Sequence, residues 1–166
     1  MFSIRGLIGI VTLAAIAAFG IAITPGHQVK TVSAEDPLPP CKLILPSFPR
    51  TALSVVKPLP YVSENMAAYS GVWEGQWGGT AASVLSIWGV ADRYAIGVYQ
   101  FTPTTPALQI GPMPLIAQPD GSLRFAFFGV AFTWTLADGG NTLHGERVQS
   151  GITAIVDMHR CQPPGG

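Results

Sequence analysis

Apolar and polar positions alternate along most of the chain after residue 70, which is the two-residue period of a β-strand. The pattern is clearest at 71–78, where Trp73 and Trp77 fall on one face and Val72 and Glu74 on the other. Turn-forming residues interrupt the alternation about every 8–12 residues. The pattern predicts eight strands, at about 71–78, 81–90, 93–101, 113–118, 122–128, 130–136, 142–149 and 152–160.

Short turns connect these segments. Residues 119–121 (Pro-Asp-Gly) separate the fourth from the fifth, and residues 138–141 (Asp-Gly-Gly-Asn) separate the sixth from the seventh. Because short connections join antiparallel neighbours, the chain is predicted to be all-β, an eight-stranded antiparallel up-and-down (meander) barrel whose closure removes exposed edges. The longest connection, 102–112, is predicted to be a lid or rim loop.

The last two segments form a hairpin if residues 150–151 (Ser-Gly) are its turn. In that register the mostly apolar face, which should point inward, carries Arg147 and Arg160. His144 and Asp157 face each other on the opposite, polar side. Imidazole and carboxylate can bind zinc or another divalent ion, and the alternative is a hydrogen-bonded pair on a solvated face. The second interpretation is preferred, so the sequence predicts no metal site and no cofactor.

The segments 81–90 and 93–101 are apolar on both faces. One face of each belongs to the predicted barrel core. The outer face is either covered by the proline-rich stretch that precedes the barrel or available to a partner.

The first 34 residues are typical of an export signal. Arg5 precedes an uncharged run whose apolar part is 7–23, and residues 32–34 (Val-Ser-Ala) fit the small-x-small pattern of a signal-peptidase site. The apolar part is between the usual lengths of a signal h-region and a membrane span, so a cleaved signal peptide and a retained anchor are both open. A cleaved signal predicts a secreted or periplasmic protein, whereas a retained segment predicts an exported domain anchored to the membrane by residues 7–23 and by no other part of the chain.

Seven prolines fall between residues 36 and 60, which excludes a continuous helix and favours an extended linker. Residues 43–45 (Leu-Ile-Leu) either form a short strand or pack across a barrel end. The segment 63–69 begins with a serine followed by helix formers, which predicts a helical turn. The predicted organisation is a signal or anchor at 1–34, a linker at 35–62 and a barrel domain at 63–166.

Cys41 and Cys161, the two cysteines of the chain, flank the whole β region. In an exported chain they are expected to form a disulfide that ties the linker to the last strand. The alternative is two buried thiols.

The chain carries few charges. Charged residues make up 11% of the sequence and the formal net charge is zero, whereas a typical domain has about 25% charged residues. No basic stripe exists, which argues against a nucleic-acid partner. The chain also has no Gly-x-Ser-x-Gly segment and no phosphate-binding loop, so no catalytic residue is predicted and an enzyme is the least supported class.

A helical turn, then Gly71-x-Trp73 on the first strand, then a meander with Arg160 late on the last strand, is a pattern that resembles the lipocalin or calycin superfamily. The resemblance covers about 63–161. It implies that Trp73 closes one end of the barrel and that Arg160 packs over it.

Four aromatic side chains are candidates to line an apolar pocket, and Arg147 is a candidate to hold an anionic head group. The aromatic candidates are Trp77, Trp88, Tyr99 and Trp134. For the aromatic residues the alternative is ordinary core packing, and for Arg147 it is a position at the barrel mouth. The sequence therefore predicts a non-catalytic binding module for a small apolar or amphipathic ligand. The alternative is a filled barrel that acts as a protein-interaction domain, an inhibitor or an envelope adaptor.

Overall fold

Eight antiparallel strands form a closed barrel in which each strand pairs with its neighbours in sequence and the last pairs with the first. The structure is a computed structural model that describes residues 37–102 and 107–164. The strands are β1 (Gly71–Trp77), β2 (Ala81–Val90), β3 (Tyr94–Thr102), β4 (Leu108–Ala117), β5 (Leu123–Phe127), β6 (Val130–Ala137), β7 (Thr142–Gln149) and β8 (Ile152–Cys161). The predicted eight-stranded meander barrel is confirmed, and the predicted signal or anchor segment lies outside the described residues.

The fourth strand differs from the prediction. It begins at Leu108 rather than near residue 113, so the predicted rim loop at 102–112 is wrong and the connection is only 103–107, of which 107 is described. The proline at 112, with those at 103 and 106, suggested a loop, since proline lacks an N–H for the ladder. Within β4, residues 112 and 114 are both prolines. The structure tolerates them because β4 pairs with β5 only through Ile116 and Ala117, which leaves the rest of that edge without a ladder partner.

The hairpin of β7 and β8 has the predicted register. Gln149 pairs with Ile152, and His144 pairs with Asp157. Closure then follows from the pairing of β1 with β8, in which Trp73 lies opposite Arg160. One face of this hairpin therefore lines the barrel interior and the other faces outward.

In the described part of the chain, three short helical elements accompany the barrel. They are a 3₁₀ helix at Arg50–Leu53, α1 (Glu64–Ala67) and a 3₁₀ turn at Asp138–Gly140 between β6 and β7. The Ser63 hydroxyl accepts a hydrogen bond from the Met66 N–H at 3.4 Å, so the predicted serine-capped turn is confirmed. Within residues 37–102 and 107–164, no helix has the length and apolar character needed to cross a membrane.

Residues 37–62, here called the lead-in, cover the outer face of β2 and β3. Phe48 and Ala52 of the lead-in are buried together with Val84 and Val98. The Ser86 hydroxyl, on the same outer face, donates a hydrogen bond to the Ala52 carbonyl. Of the two alternatives for this apolar face, the structure shows the covered one. Residues 43–45 form no strand, and Leu43 and Ile44 pack against this outer cluster.

Inside the barrel, Gly145 of β7 allows the indole of Trp134 to lie flat against the wall. A Cβ atom at position 145 would lie 2.6 Å from Trp134 Cε3 and 2.8 Å from Val156 Cγ1. Trp134 is fully buried and has no space into which it could retreat. Glycine is therefore required at this position by packing.

We expect Gly145→Ala to lower the free energy of unfolding by about 1–3 kcal/mol or more, because the added methyl overlaps a buried ring. Gly89→Ala is the matched control, since a Cβ on that strand glycine would meet no atom within 4 Å. Urea denaturation of both variants checks the prediction. Equal stability of the two variants would show that the interior is loosely packed around Trp134.

Candidate functional site

The barrel interior is filled by a layer of aromatic side chains. Trp77, Tyr99, Phe125, Phe132 and Trp134 are each at most 8% exposed. Their rings contact one another at centroid distances from 4.5 to 6.4 Å, and the closest pair, Phe125 and Phe132, is stacked. Three of the predicted ligand contacts, Trp77, Tyr99 and Trp134, are therefore brought together, and they pack against each other.

Tyr99 is the polar centre of this layer. Its hydroxyl oxygen accepts a hydrogen bond from the Trp77 indole N–H at 2.7 Å. Removal from water raises the pKa of Tyr99 well above its usual range, and the hydrogen bond from Trp77 opposes this shift only in part. The phenol is thus held neutral inside the barrel.

One end of the barrel, here called the α1 end, is closed by Trp73 and Arg160. Trp73 is fully buried and donates its indole N–H to the Tyr69 carbonyl at 3.0 Å. The Arg160 guanidinium lies over the Trp73 ring, 4.6 Å from its centroid, and donates to the Ala68 carbonyl. This is the arrangement that the resemblance to lipocalins implies.

The opposite end, here called the far end, has a second arginine over a second tryptophan. The Arg147 guanidinium lies 5.7 Å from the Trp77 ring centroid and 5.3 Å from that of Phe101. Arg147 does point inward, as predicted from the hairpin register. It is partly buried and covers the aromatic layer, so the interior is closed at both ends by a cation over an indole.

Trp88, the remaining predicted ligand contact, lies elsewhere. It packs at the edge of the outer cluster beneath the lead-in, on the other side of the barrel wall from Trp77 and Trp134. The register of β2 with β3 shifts between Ile87 and Gly89, next to this residue. The structure therefore does not bring Trp88 together with the other candidates.

Covalent and polar contacts fasten the lead-in to the barrel. The predicted disulfide is formed between Cys41 and Cys161, whose Cα atoms are 4.9 Å apart. The Glu74 carboxylate, on the outer face of β1, accepts the backbone N–H groups of Lys42 and Leu43 at 2.7 and 2.8 Å. Sequence reasoning missed the role of Glu74, because its partners are 32 and 31 residues away and are backbone groups.

Among the residues that the structure describes, two groups of side chains have metal-ligand chemistry. The Cys41 and Cys161 sulfurs lie within 4.8 Å of a Glu74 carboxylate oxygen, but both sulfurs are engaged in the disulfide. His144 and Asp157 share the outer face and interact at 2.7 Å, with side chains 44% and 63% exposed. Within the described residues no third ligand side chain joins this pair.

Two adjoining cavities lie outside the barrel, where the lead-in meets the end of β8. The larger, of about 910 Å³, is lined by Ile44, Leu45, Pro46, Phe48, Arg50, Leu53, Ser54, Val55, Pro163 and Pro164. The smaller, of about 420 Å³, is lined by Leu38, Leu53, Val55, Ser70, Gly71, Val72, Arg160, Cys161, Gln162 and Pro163. Because Leu53, Val55 and Pro163 line both, the cavities form one surface, here called the lead-in groove.

The lead-in groove is apolar with a positive charge at two places. Arg50 lines the larger cavity and Arg160 lines the smaller one. Among the described lining residues none is acidic. The groove therefore offers apolar contact and positive charge on a surface that the disulfide holds in place.

No family model, no curated protein and no solved structure matches the chain.

Loss of the disulfide is expected to weaken the fold substantially. Cys41 and Cys161 are 120 residues apart, and closing a loop of that length stabilises the folded state by about 5 kcal/mol in the chain-entropy model. We expect the double variant Cys41→Ser, Cys161→Ser to unfold at a lower urea concentration than the oxidised wild type. Reduced wild type is the control, and it should match the double variant.

Alkaline pH is also expected to destabilise the barrel. Above about pH 10 a tyrosine in the unfolded chain loses its proton, whereas burial raises the pKa of Tyr99, and also that of Tyr69, in the folded protein. The folded state then binds more protons than the unfolded state, so the free energy of unfolding falls as pH rises. Tyr99→Phe should flatten this slope, measured as the free energy of unfolding against pH.

Proposed function

We propose that the protein is an exported, non-catalytic, lipocalin-like binding domain that holds a small apolar or amphipathic ligand in the lead-in groove. The observation that carries the proposal is the contrast between a filled interior and a groove with cavities of about 420 and 910 Å³. Small-molecule sites usually have volumes of about 300–1,000 Å³ and mostly apolar walls. The barrel then serves as a rigid support for a binding surface that lies outside it.

The fastening of the lead-in supports this proposal. The disulfide and the two hydrogen bonds to Glu74 hold residues 41–43 against β1 and β8 before any ligand arrives. A surface that is ordered in advance loses less conformational freedom on binding. The disulfide also supports export, since such bonds persist mainly in oxidising compartments.

The aromatic candidates from the sequence have a different part in this proposal. Trp77, Tyr99 and Trp134 are at most 4% exposed and supply the rigid core. Arg147, beside Phe101 at the far end, remains a predicted contact for an anionic group that approaches from that side. As ligand contacts, all of these residues stay predictions.

The alternative is a protein-interaction domain, such as an inhibitor or an envelope adaptor. One observation favours it: the lead-in exposes several large apolar side chains. They are Leu38, Val56, Leu59 and Tyr61, with exposed fractions from 44% to 72%. Exposed apolar side chains that lie together are typical of a surface that a second protein covers.

A pair of neighbouring valines tests the proposed function. Val55 lines both cavities, whereas Val56 is outside the lining and 59% exposed. We expect Val55→Asp to abolish binding of 1-octanol, measured as chemical-shift changes in a two-dimensional NMR titration. Val56→Asp should bind as the wild type does.

Two further results distinguish a small-ligand domain from a protein-interaction domain. If 1-octanol shifts no resonance of the groove in the wild type, the small-ligand proposal is overturned. Native mass spectrometry of the protein purified from its source cell addresses the alternative. A retained protein that Val56→Asp releases and Val55→Asp keeps would favour the interaction domain.

A further inference from the structure

We infer that the smaller cavity of the lead-in groove is the head-group site for a single-chain amphiphile with a carboxylate head, whose anion binds Arg160 and whose chain follows the groove. This inference rests on the proposed function and names the class of ligand. It assigns to Arg160 a role beyond its packing over Trp73.

Among residues 37–102 and 107–164, no acidic side chain pairs with Arg160. Its guanidinium packs on Trp73 and donates to the Ala68 carbonyl, and its Nε has no hydrogen-bond acceptor among the same residues. The carboxylate of Asp157, by contrast, is in contact with His144. A partly buried cation without a counterion is costly, and a bound anion would offset that cost.

The surroundings of Arg160 strengthen an interaction with an anion. The Arg160 side chain is partly buried, and this partial removal from water lowers the pKa of its guanidinium. Opposite charges attract more strongly where water is partly excluded. The planar guanidinium also matches a carboxylate, which can accept two parallel N–H bonds.

The rest of the smaller cavity suits the part of the ligand next to the head group. Ser70 and Gln162 contribute polar groups to its lining, and Leu38 and Val72 contribute apolar surface. From there Leu53 and Val55 lead into the larger cavity, whose lining is mostly aliphatic and proline. A charged head at Arg160 and an apolar tail toward residues 44–48 fit the composition of the groove, in which Arg50 places a second positive charge in the lining of the larger cavity.

The position of Arg160 is fixed by its neighbours, which favours a defined site over a mobile surface charge. A Cβ at Gly71 would lie 3.4 Å from Arg160 Nε, so the side chain runs directly against the glycine backbone. Together with the Trp73 ring and the Ala68 carbonyl, this contact leaves the guanidinium little freedom. A preorganised cation loses less entropy on binding an anion.

The test compares octanoate with 1-octanol, which has the same chain length and no charge. We expect octanoate to bind the wild type about tenfold more tightly or better, as one charge-assisted hydrogen bond predicts. The Arg160 Nε–H resonance should shift with octanoate. Acetate, which has the head alone, should bind at least tenfold more weakly than octanoate because it gains no apolar contact.

Matched variants locate the charge effect without disturbing the barrel end. Gln162→Glu places a carboxylate in the lining of the smaller cavity, and Gln76→Glu adds the same charge at an exposed position of β1 outside it. Gln162→Glu should remove the preference for octanoate and keep the affinity for 1-octanol. Gln76→Glu should behave as the wild type does.

The outcomes distinguish the two proposals. If 1-octanol and octanoate bind equally in all variants, the anionic head-group site is overturned and the apolar groove stands. If neither binds, both proposals are overturned. Binding to vesicles that contain an anionic phospholipid, together with no binding of free octanoate, would overturn the single-chain ligand in favour of a membrane surface.

Discussion

Strand β1 carries the interaction on which the barrel depends, because each of its two tryptophans packs beneath an arginine. Trp73 and Trp77 are four residues apart on one face, so both indoles enter the interior, at opposite ends. Arg160 covers the first and Arg147 covers the second. Each contact contributes about 0.5–2 kcal/mol. The two arginine–tryptophan pairs also enclose the aromatic layer, because one lies at each end of the barrel.

A closed and filled interior changes what the barrel can do. In a larger barrel the space between the walls can receive a ligand, whereas here Tyr99, Phe132 and Trp134 occupy it. Strands β2 and β3 are apolar on both faces, and the lead-in packs against their outer face. The groove available to a ligand therefore lies on the outside of the barrel, between the lead-in and the end of β8.

Much of the fold could be predicted from the sequence, because alternation and turn residues are local signals. The hairpin register of His144 with Asp157 and the inward position of Arg147 followed from a two-residue turn. The length of β4 could not be predicted, since its prolines are tolerated only because the neighbouring strand leaves that edge unpaired. The pairing of β4 with β5 is a tertiary contact, and the local sequence of β4 does not show it.

The candidate site was less predictable than the fold. Strand alternation predicts which aromatic residues face inward. Whether their rings fill the interior depends on how they stack across strands, as Phe125, Phe132 and Trp134 do. The groove was missed because it is formed by segments far apart in sequence, such as Val55 and Pro163. Similarly, Glu74 gives no local sign of the backbone groups that it binds.

The disulfide joins the lead-in to the last residue of β8, and so makes the eight strands part of one covalent ring from Cys41 to Cys161. The entry and exit of the barrel are already side by side, as the hydrogen bond from the Cys41 N–H to the Gln162 carbonyl also shows. The point at which the chain begins is therefore not essential to the architecture. A gene that starts in the exposed turn at 128–129 and joins residue 164 to residue 37 through a short peptide would encode the same barrel as a circular permutant.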